Sequence, residues 1–206
     1  MTEDTSQSYW EQAIDHRRNG EYLEAGEYYS LVAYDRFSEG LPGTYGTRIS
    51  GGEANLLRAA ICYRLAHRLD RCRNRCRQGI LIAEDLIDRV FRMDPPDNAY
   101  DRARRGVWYE YIGDFRCIGN VGDPAAAYEE AIEVYEAADD PDTGYSEQEH
   151  CYTMAVYREV AKAADKDPGP IDDFDNDLTL TKWVEKKQES YPSLLENVSQ
   201  SGAWPP

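Results

Sequence analysis

Cys62, His67, Cys72 and Cys76 are side chains of the types that hold metal ions, and they fall within one short stretch. Structural zinc sites wrap the ion in tight Cys-x2-4-Cys knuckles that come in paired sets. Cys72 and Cys76 instead repeat at the spacing of one helix face. Cysteine is also a small, readily buried hydrophobe, so core packing is expected, with no metal and no cofactor. His150 beside Cys151 pairs a base with a thiol, yet adjacent helical residues point about 100° apart. A cysteine nucleophile needs a base within hydrogen-bond reach and a group to orient it. Asp139-Asp140 and Asp172-Asp173 are two of many paired acids, which suit a solvated face. The run Asp173-Phe174-Asp175-Asn176-Asp177 begins like a calcium loop but lacks the glycine at its sixth position and the closing glutamate. Glycines 40, 43, 46, 51 and 52 crowd the stretch Ser38 to Gly52 without the G-x4-G-K-[ST] pattern of a phosphate-binding loop. No catalytic residue is assigned.

The arginines carry more information. Residues 54–116 hold 13 Arg against nine acids, a local +4, while residues 1–53 carry −6 and 117–206 carry −14. Arg58, Arg64, Arg68, Arg71, Arg73, Arg75 and Arg77 face only Asp70 within their stretch. The guanidinium fork suits carboxylates and phosphates. Three roles fit this block: pairing with the acidic flanks, within one chain or between two copies; docking of an acidic peptide or protein; or contact with nucleic acid. Phosphate-driven affinity falls steeply with salt, which disfavours the third.

Helical periodicity runs through the chain with few alternating strand-like segments, so the fold class is all-α, with about seven to eight helices. Ser8-Tyr9-Trp10-Glu11 fits a capping box that opens a first helix, closed near Asn19-Gly20. A second spans about Glu21 to Phe37 and the glycine-rich stretch follows as an insertion loop. Helix pairs are then expected over Glu53 to Leu69 with Asp70 to Met93, and over Asn98 to Cys117 with Asp123 to Ala138, where Asp123-Pro124 is a start signal. Ser146-Glu147-Gln148-Glu149 is a second capping box, opening a helix that fades near Lys166. The expected division is a helical-repeat domain over 6–166, an acidic linker over 167–177, a C-terminal helix over 178–190 and an irregular or disordered tail over 191–206, from which Trp204 could dock.

A repeat runs through these pairs. Asn19-Gly20-Glu21-Tyr22-Leu23-Glu24-Ala25, then Tyr28-Tyr29 and Val32-Ala33, resembles the turn and second helix of a tetratricopeptide repeat. Tyr9, Ala13 and His16 supply the first-helix anchors. Leu56, Ala59, Ala60 and Tyr63, with Cys72, Cys76 and Gly79, repeat the pattern, as do Trp108, Tyr111, Ile112 and Phe115 with Tyr128, Ala131, Tyr135 and Ala138. The resemblance covers about residues 8–138 and leaves the helix after residue 147 as a solvent-facing cap. It implies antiparallel hairpins stacked as a short right-handed solenoid with a concave groove for a protein or peptide. Trp10, Ile14 and Arg17 would line that groove on the first unit and Leu57, Ile61 and Arg64 on the second, edged by Arg68, Arg71 and Arg75. The family's clamp for acidic C-terminal peptides uses Lys and Asn where this chain has Trp10 and Ile14, so a chaperone-tail role is not implied. The expected function is a non-catalytic protein-interaction adaptor, with a nucleic-acid accessory role for residues 58–77 as the alternative.

The chain has 206 residues, 41% of them hydrophobic, and 39 acidic against 23 basic side chains, for a net charge of −16. One domain of this length buries roughly 70% of its unfolded surface without staples. Eighteen of the basic residues are Arg, and the five Lys all lie at or after residue 162. This acidity with Arg in place of Lys resembles cytosolic proteins of salt-loving archaea, where self-repulsion preserves solubility. An acidic start, Met1-Thr2-Glu3-Asp4, the lack of an apolar span and five cysteines lead to the expectation of a cytoplasmic, non-membrane protein with reduced thiols.

Overall fold

Asn19 and Gly20 end the first helix as expected: Gly20 sits at φ +75°, and the Glu21 amide reaches back to the His16 carbonyl at 2.9 Å. A computed structural model of the chain describes residues 3–39, 45–92, 99–139, 150–165 and 179–204. Within them lie eight helices and no strands: α1 (Glu3–Arg18), α2 (Tyr22–Glu39), α3 (Tyr45–Leu65), α4 (Leu69–Arg92), α5 (Ala99–Gly119), α6 (Pro124–Ala137), α7 (His150–Ala163) and α8 (Leu180–Ser201). The expected cap at Asp123 is in place. Its carboxylate accepts from the Ala125 amide at 3.0 Å, with Pro124 in the first turn.

Three boundary expectations are corrected. Helix α1 begins before Ser8, so the capping-box serine lies inside it and its hydroxyl and carbonyl oxygens accept from Gln12 instead. The glycine-rich stretch is not wholly a loop, because α3 starts at Tyr45 and takes in Gly51 and Gly52, both buried. Gly52 meets the Phe37 ring face, where a β-carbon would collide, so the glycine serves close helix approach. The expected irregular tail over 191–206 is helical to Ser201. Tyr191, Leu194, Leu195 and Val198 recur at i, i+3, i+4 and i+7 and are all buried, and this stripe carries the helix through Pro192. Gly202 then stops it in the left-handed region at φ +63°. The expected linker over 167–177, with Asp172, Asp173 and the calcium-like run, lies outside the described residues, as do Asp140 and the capping box at Ser146.

From α1 to α6 each helix packs on the next; α8 lies on α6 and α5, while α7 contacts α3, α5 and α8. The helix expected to cap the stack therefore lies against its middle, with Met154, Val156, Tyr157, Val160 and Ala161 buried. One packing device recurs between neighbours: an aromatic ring of one helix lies on a glycine of the helix before it. Tyr63 lies on Gly26, Phe115 on Gly79, Tyr135 on Gly106 and Tyr128 on Gly113. The first two rings project from α3 and α5 onto α2 and α4, a structural repeat of one contact. Interiors at crystal-like density do not absorb an added methyl without shifting atoms. Gly79→Ala is accordingly expected to lower the unfolding free energy by roughly 1–3 kcal/mol, measured by urea denaturation. Adding Phe115→Leu to the same chain is expected to recover part of the loss, because the two changes share one contact.

Candidate functional site

Arg17 on α1 and Arg58 on α3 converge on a single carboxylate, that of Glu159 on α7. Arg58 donates from Nη2 to Glu159 Oε1 at 2.6 Å and from Nε to both oxygens at 3.1 and 3.2 Å, while Arg17 Nη1 reaches Oε2 at 2.7 Å. Both guanidinium groups are nearly out of solvent and lie against aromatic faces. Arg17 sits 4.6 Å from the Trp204 ring and 5.8 Å from that of Tyr29, and Arg58 sits 5.2 Å from Trp10. Such stacking favours weakly hydrated arginine over lysine. Burial works to raise the Glu159 pKa, but Arg58 and Arg17 outweigh it and hold the carboxyl below its ordinary value. The last described residue, Trp204, is fully buried, and its backbone amide donates to the Tyr22 hydroxyl at 2.8 Å.

A second charge cluster fastens α8. Lys187 Nζ lies 3.1 Å from Glu110 Oε2 and 2.8 Å from Asp114 Oδ2, with all three side chains fully buried. Glu110 and Asp114 are four residues apart on α5 and share its face. Tyr135 donates to Glu110 at 2.6 Å, Tyr128 to Asp114 at 2.8 Å, and the Trp183 indole N–H to Glu110 at 3.2 Å. Burial opposes the Lys187 charge, but Asp114 and Glu110 outweigh it and keep the pKa above its ordinary value. Burial lifts Asp114 to about 6, against the opposing pull of Lys187.

A third buried group stands apart. Glu53 on α3 is fully buried with no hydrogen bond to either carboxyl oxygen, near Tyr111, whose hydroxyl donates to the Ser50 carbonyl at 2.8 Å. Burial pushes its carboxyl well above the ordinary carboxylate range.

The sequence-derived groove residues fall into two groups. Arg17 meets Arg58, which the sequence offered only as part of the arginine block, with Trp10 beside them, and Ile14 is half-buried on the same helix as Arg17. Leu57 and Ile61, expected on an open groove, are core residues with at most 1% of their surface exposed. Along the arginine block most side chains turn onto the protein's own groups. Arg64 donates to Ser199 Oγ and to the Ile118 carbonyl, each at 2.9 Å, Arg71 pairs with Glu27, and Arg75 donates to Ser30 at 3.0 Å. Arg68 pairs with Asp70 at 3.6 Å. Cys62, Cys72 and Cys76 are buried free thiols and His67 is exposed in the α3–α4 turn. Among the described residues no three His, Cys, Asp or Glu side chains converge as metal ligands, and no helix is long and apolar enough to cross a membrane. Sequence reasoning missed Glu159, Lys187, Glu110 and Asp114. Their signal was faint: a charged residue amid apolar neighbours, as in Tyr109-Glu110-Tyr111-Ile112.

Replacing Lys187 by Met would leave two carboxyl groups buried on α5 without their cation, a loss of about 3–5 kcal/mol. Chemical denaturation is expected to show it, with much of the loss recovered when Glu110→Gln and Asp114→Asn are added. For Glu53 the folded state holds the proton more tightly than the unfolded chain. Its contribution is therefore most favourable below the ordinary value of 4.5 and is lost as pH rises toward the folded pKa. Glu53→Gln is expected to gain stability relative to wild type as pH rises from acid to neutral, read from paired urea midpoints.

Comparison with family models, with curated proteins and with solved structures finds no match to this chain.

Proposed function

We propose that the chain is a non-catalytic adaptor built of antiparallel, tetratricopeptide-like hairpins, which binds a protein or peptide partner through a carboxylate clamp formed by Arg17 and Arg58. The observation that carries this reading is the convergence of two buried, ring-stacked guanidiniums from different helices on one carboxylate. In the folded chain the carboxylate is that of Glu159, and Trp204 covers Arg17. The partner that fits offers an acidic side chain beside an aromatic or aliphatic one and competes with α7 and the C-terminal turn. The nucleic-acid alternative requires an outward row of arginines, whereas Arg58, Arg64, Arg71 and Arg75 are engaged with the chain's own groups. Acidity with arginine in place of lysine suits a cytoplasm of high salt, where only close, bidentate contacts outlast screening.

The test is selection from a displayed random-peptide library against the full chain and against Arg58→Lys, in equal salt. Lysine keeps the charge but cannot reproduce the fork. Wild type is expected to enrich peptides pairing Asp or Glu with an aromatic or aliphatic residue, and Arg58→Lys to bind them about tenfold or more weakly. No acidic enrichment, or equal binding by both proteins, would overturn the reading.

A further inference from the structure

The outer face of α4 is the largest part of the arginine block left without an assigned role. Asp70, Asn74, Arg77, Leu81, Glu84 and Asp88 follow one another at intervals of four and three residues, and all six are exposed. This spacing draws a nearly straight seam down one side of a helix. The opposite side of α4 is firmly seated, with Cys72, Cys76, Ala83, Leu86 and Ile87 buried. At the middle of the seam Leu81 is 66% exposed, the most exposed large hydrophobic side chain among the described residues. Toward the N-terminal end stand Arg77 and its exposed neighbour Arg73. Toward the C-terminal end stand Glu84, Asp85 and Asp88. Around Leu81, from Arg73 to Asp88, charge thus changes sign, while Asp70 stands at the N-terminal limit of the seam.

We infer that this seam is the interface of a homodimer in which two copies of α4 pack antiparallel about a twofold axis passing close to Leu81. A stripe that is basic on one side of an apolar midpoint and acidic on the other becomes its own complement after a half-turn, the defining property of an isologous contact. Leu81 then meets Leu81 of the second copy. Arg77, four residues before it, faces the acidic pair three and four residues after it, and Arg73 and Asn74 face Asp88. A partner carrying one sign of charge would be repelled on one side of Leu81, whereas a second copy of this chain is matched on both sides of it, from Arg73 to Asp88. With one leucine at its centre and a single helix from each copy, the contact belongs to the small, reversible class of interfaces.

Sedimentation velocity of the full chain, from micromolar to near-millimolar concentration at moderate salt, tests the inference. Wild type is expected to pass reversibly from monomer to dimer. Arg77→Glu and Glu84→Arg, each alone, place like charges opposite one another and are expected to raise the midpoint concentration about tenfold. The two changes combined in one chain restore complementarity and are expected to return the midpoint toward wild type, while Leu81→Asp leaves monomer. The substituted positions are exposed, so unchanged circular dichroism accompanies each result. A monomer at every concentration, a dimer indifferent to Leu81→Asp, or a double variant no tighter than the single ones would overturn the inference.

Discussion

Lys187 holds its ammonium against Glu110 and Asp114 in a part of the core that solvent does not reach, and the position of the last helix follows from that contact. Two carboxylates four residues apart on one helix face repel each other, and burial makes the repulsion costlier. A cation arriving from α8, with Tyr128, Tyr135 and Trp183 donating to the same two carboxylates, turns the liability into a fixed register. A buried ion pair is weak evidence for stability in itself, since an apolar replacement of all its members can be as stable. Its consequence here is positional: as α8 lies on α5 and α6, Lys187, Glu110 and Asp114 are all paired.

Once α8 is seated, its far end reaches α1, α2 and α3. Ser199 receives Arg64, Gly202 turns the chain, and Trp204 arrives under Arg17 with its amide on Tyr22. Helix α7, which contacts α3, α5 and α8, supplies Glu159 to the two arginines. The clamp therefore joins α1, α3 and α7, and the indole of the C-terminal turn covers it. The arginines read from the sequence as one basic block serve three ends. Arg58 joins Arg17 of α1 in holding a carboxylate, Arg64, Arg71 and Arg75 fasten helices together, and Arg73 and Arg77 remain exposed on α4.

The helices and most of the core could be read from the chain because their signals are local. Ala13, Leu56, Ala59, Ala60, Tyr63, Trp108, Tyr111 and Phe115 all lie buried at the helical spacing that singled them out. Turns failed where one residue type has two uses. Gly51 and Gly52 read as loop formers, yet they sit inside α3, where the Phe37 ring lies too close to Gly52 for a β-carbon. Pro192 hid a helix whose apolar stripe was intact on its C-terminal side. The candidate site was half legible: Arg17 and Arg58 stood out by type, but Glu159 lies 101 residues from Arg58 and Lys187 lies 73 from Asp114. Nothing in the periodicity of one segment encodes which distant charge it will meet. Leu57 and Ile61 were placed on an open groove by the repeat resemblance, whereas both are buried in α3, which α2, α4, α5 and α7 all contact.

These contacts make α7, α8 and the C-terminal turn one cooperative unit fastened by Lys187. Hydrogen exchange along the full chain, compared between wild type and Lys187→Met, measures this most directly, because local openings report the cooperative units of a fold. Helices α7 and α8 and the parts of α1 and α3 around Arg17 and Arg58 are expected to lose protection together while α4 keeps its own. Loss confined to α8, with α7 and the clamp as protected as in wild type, would contradict it.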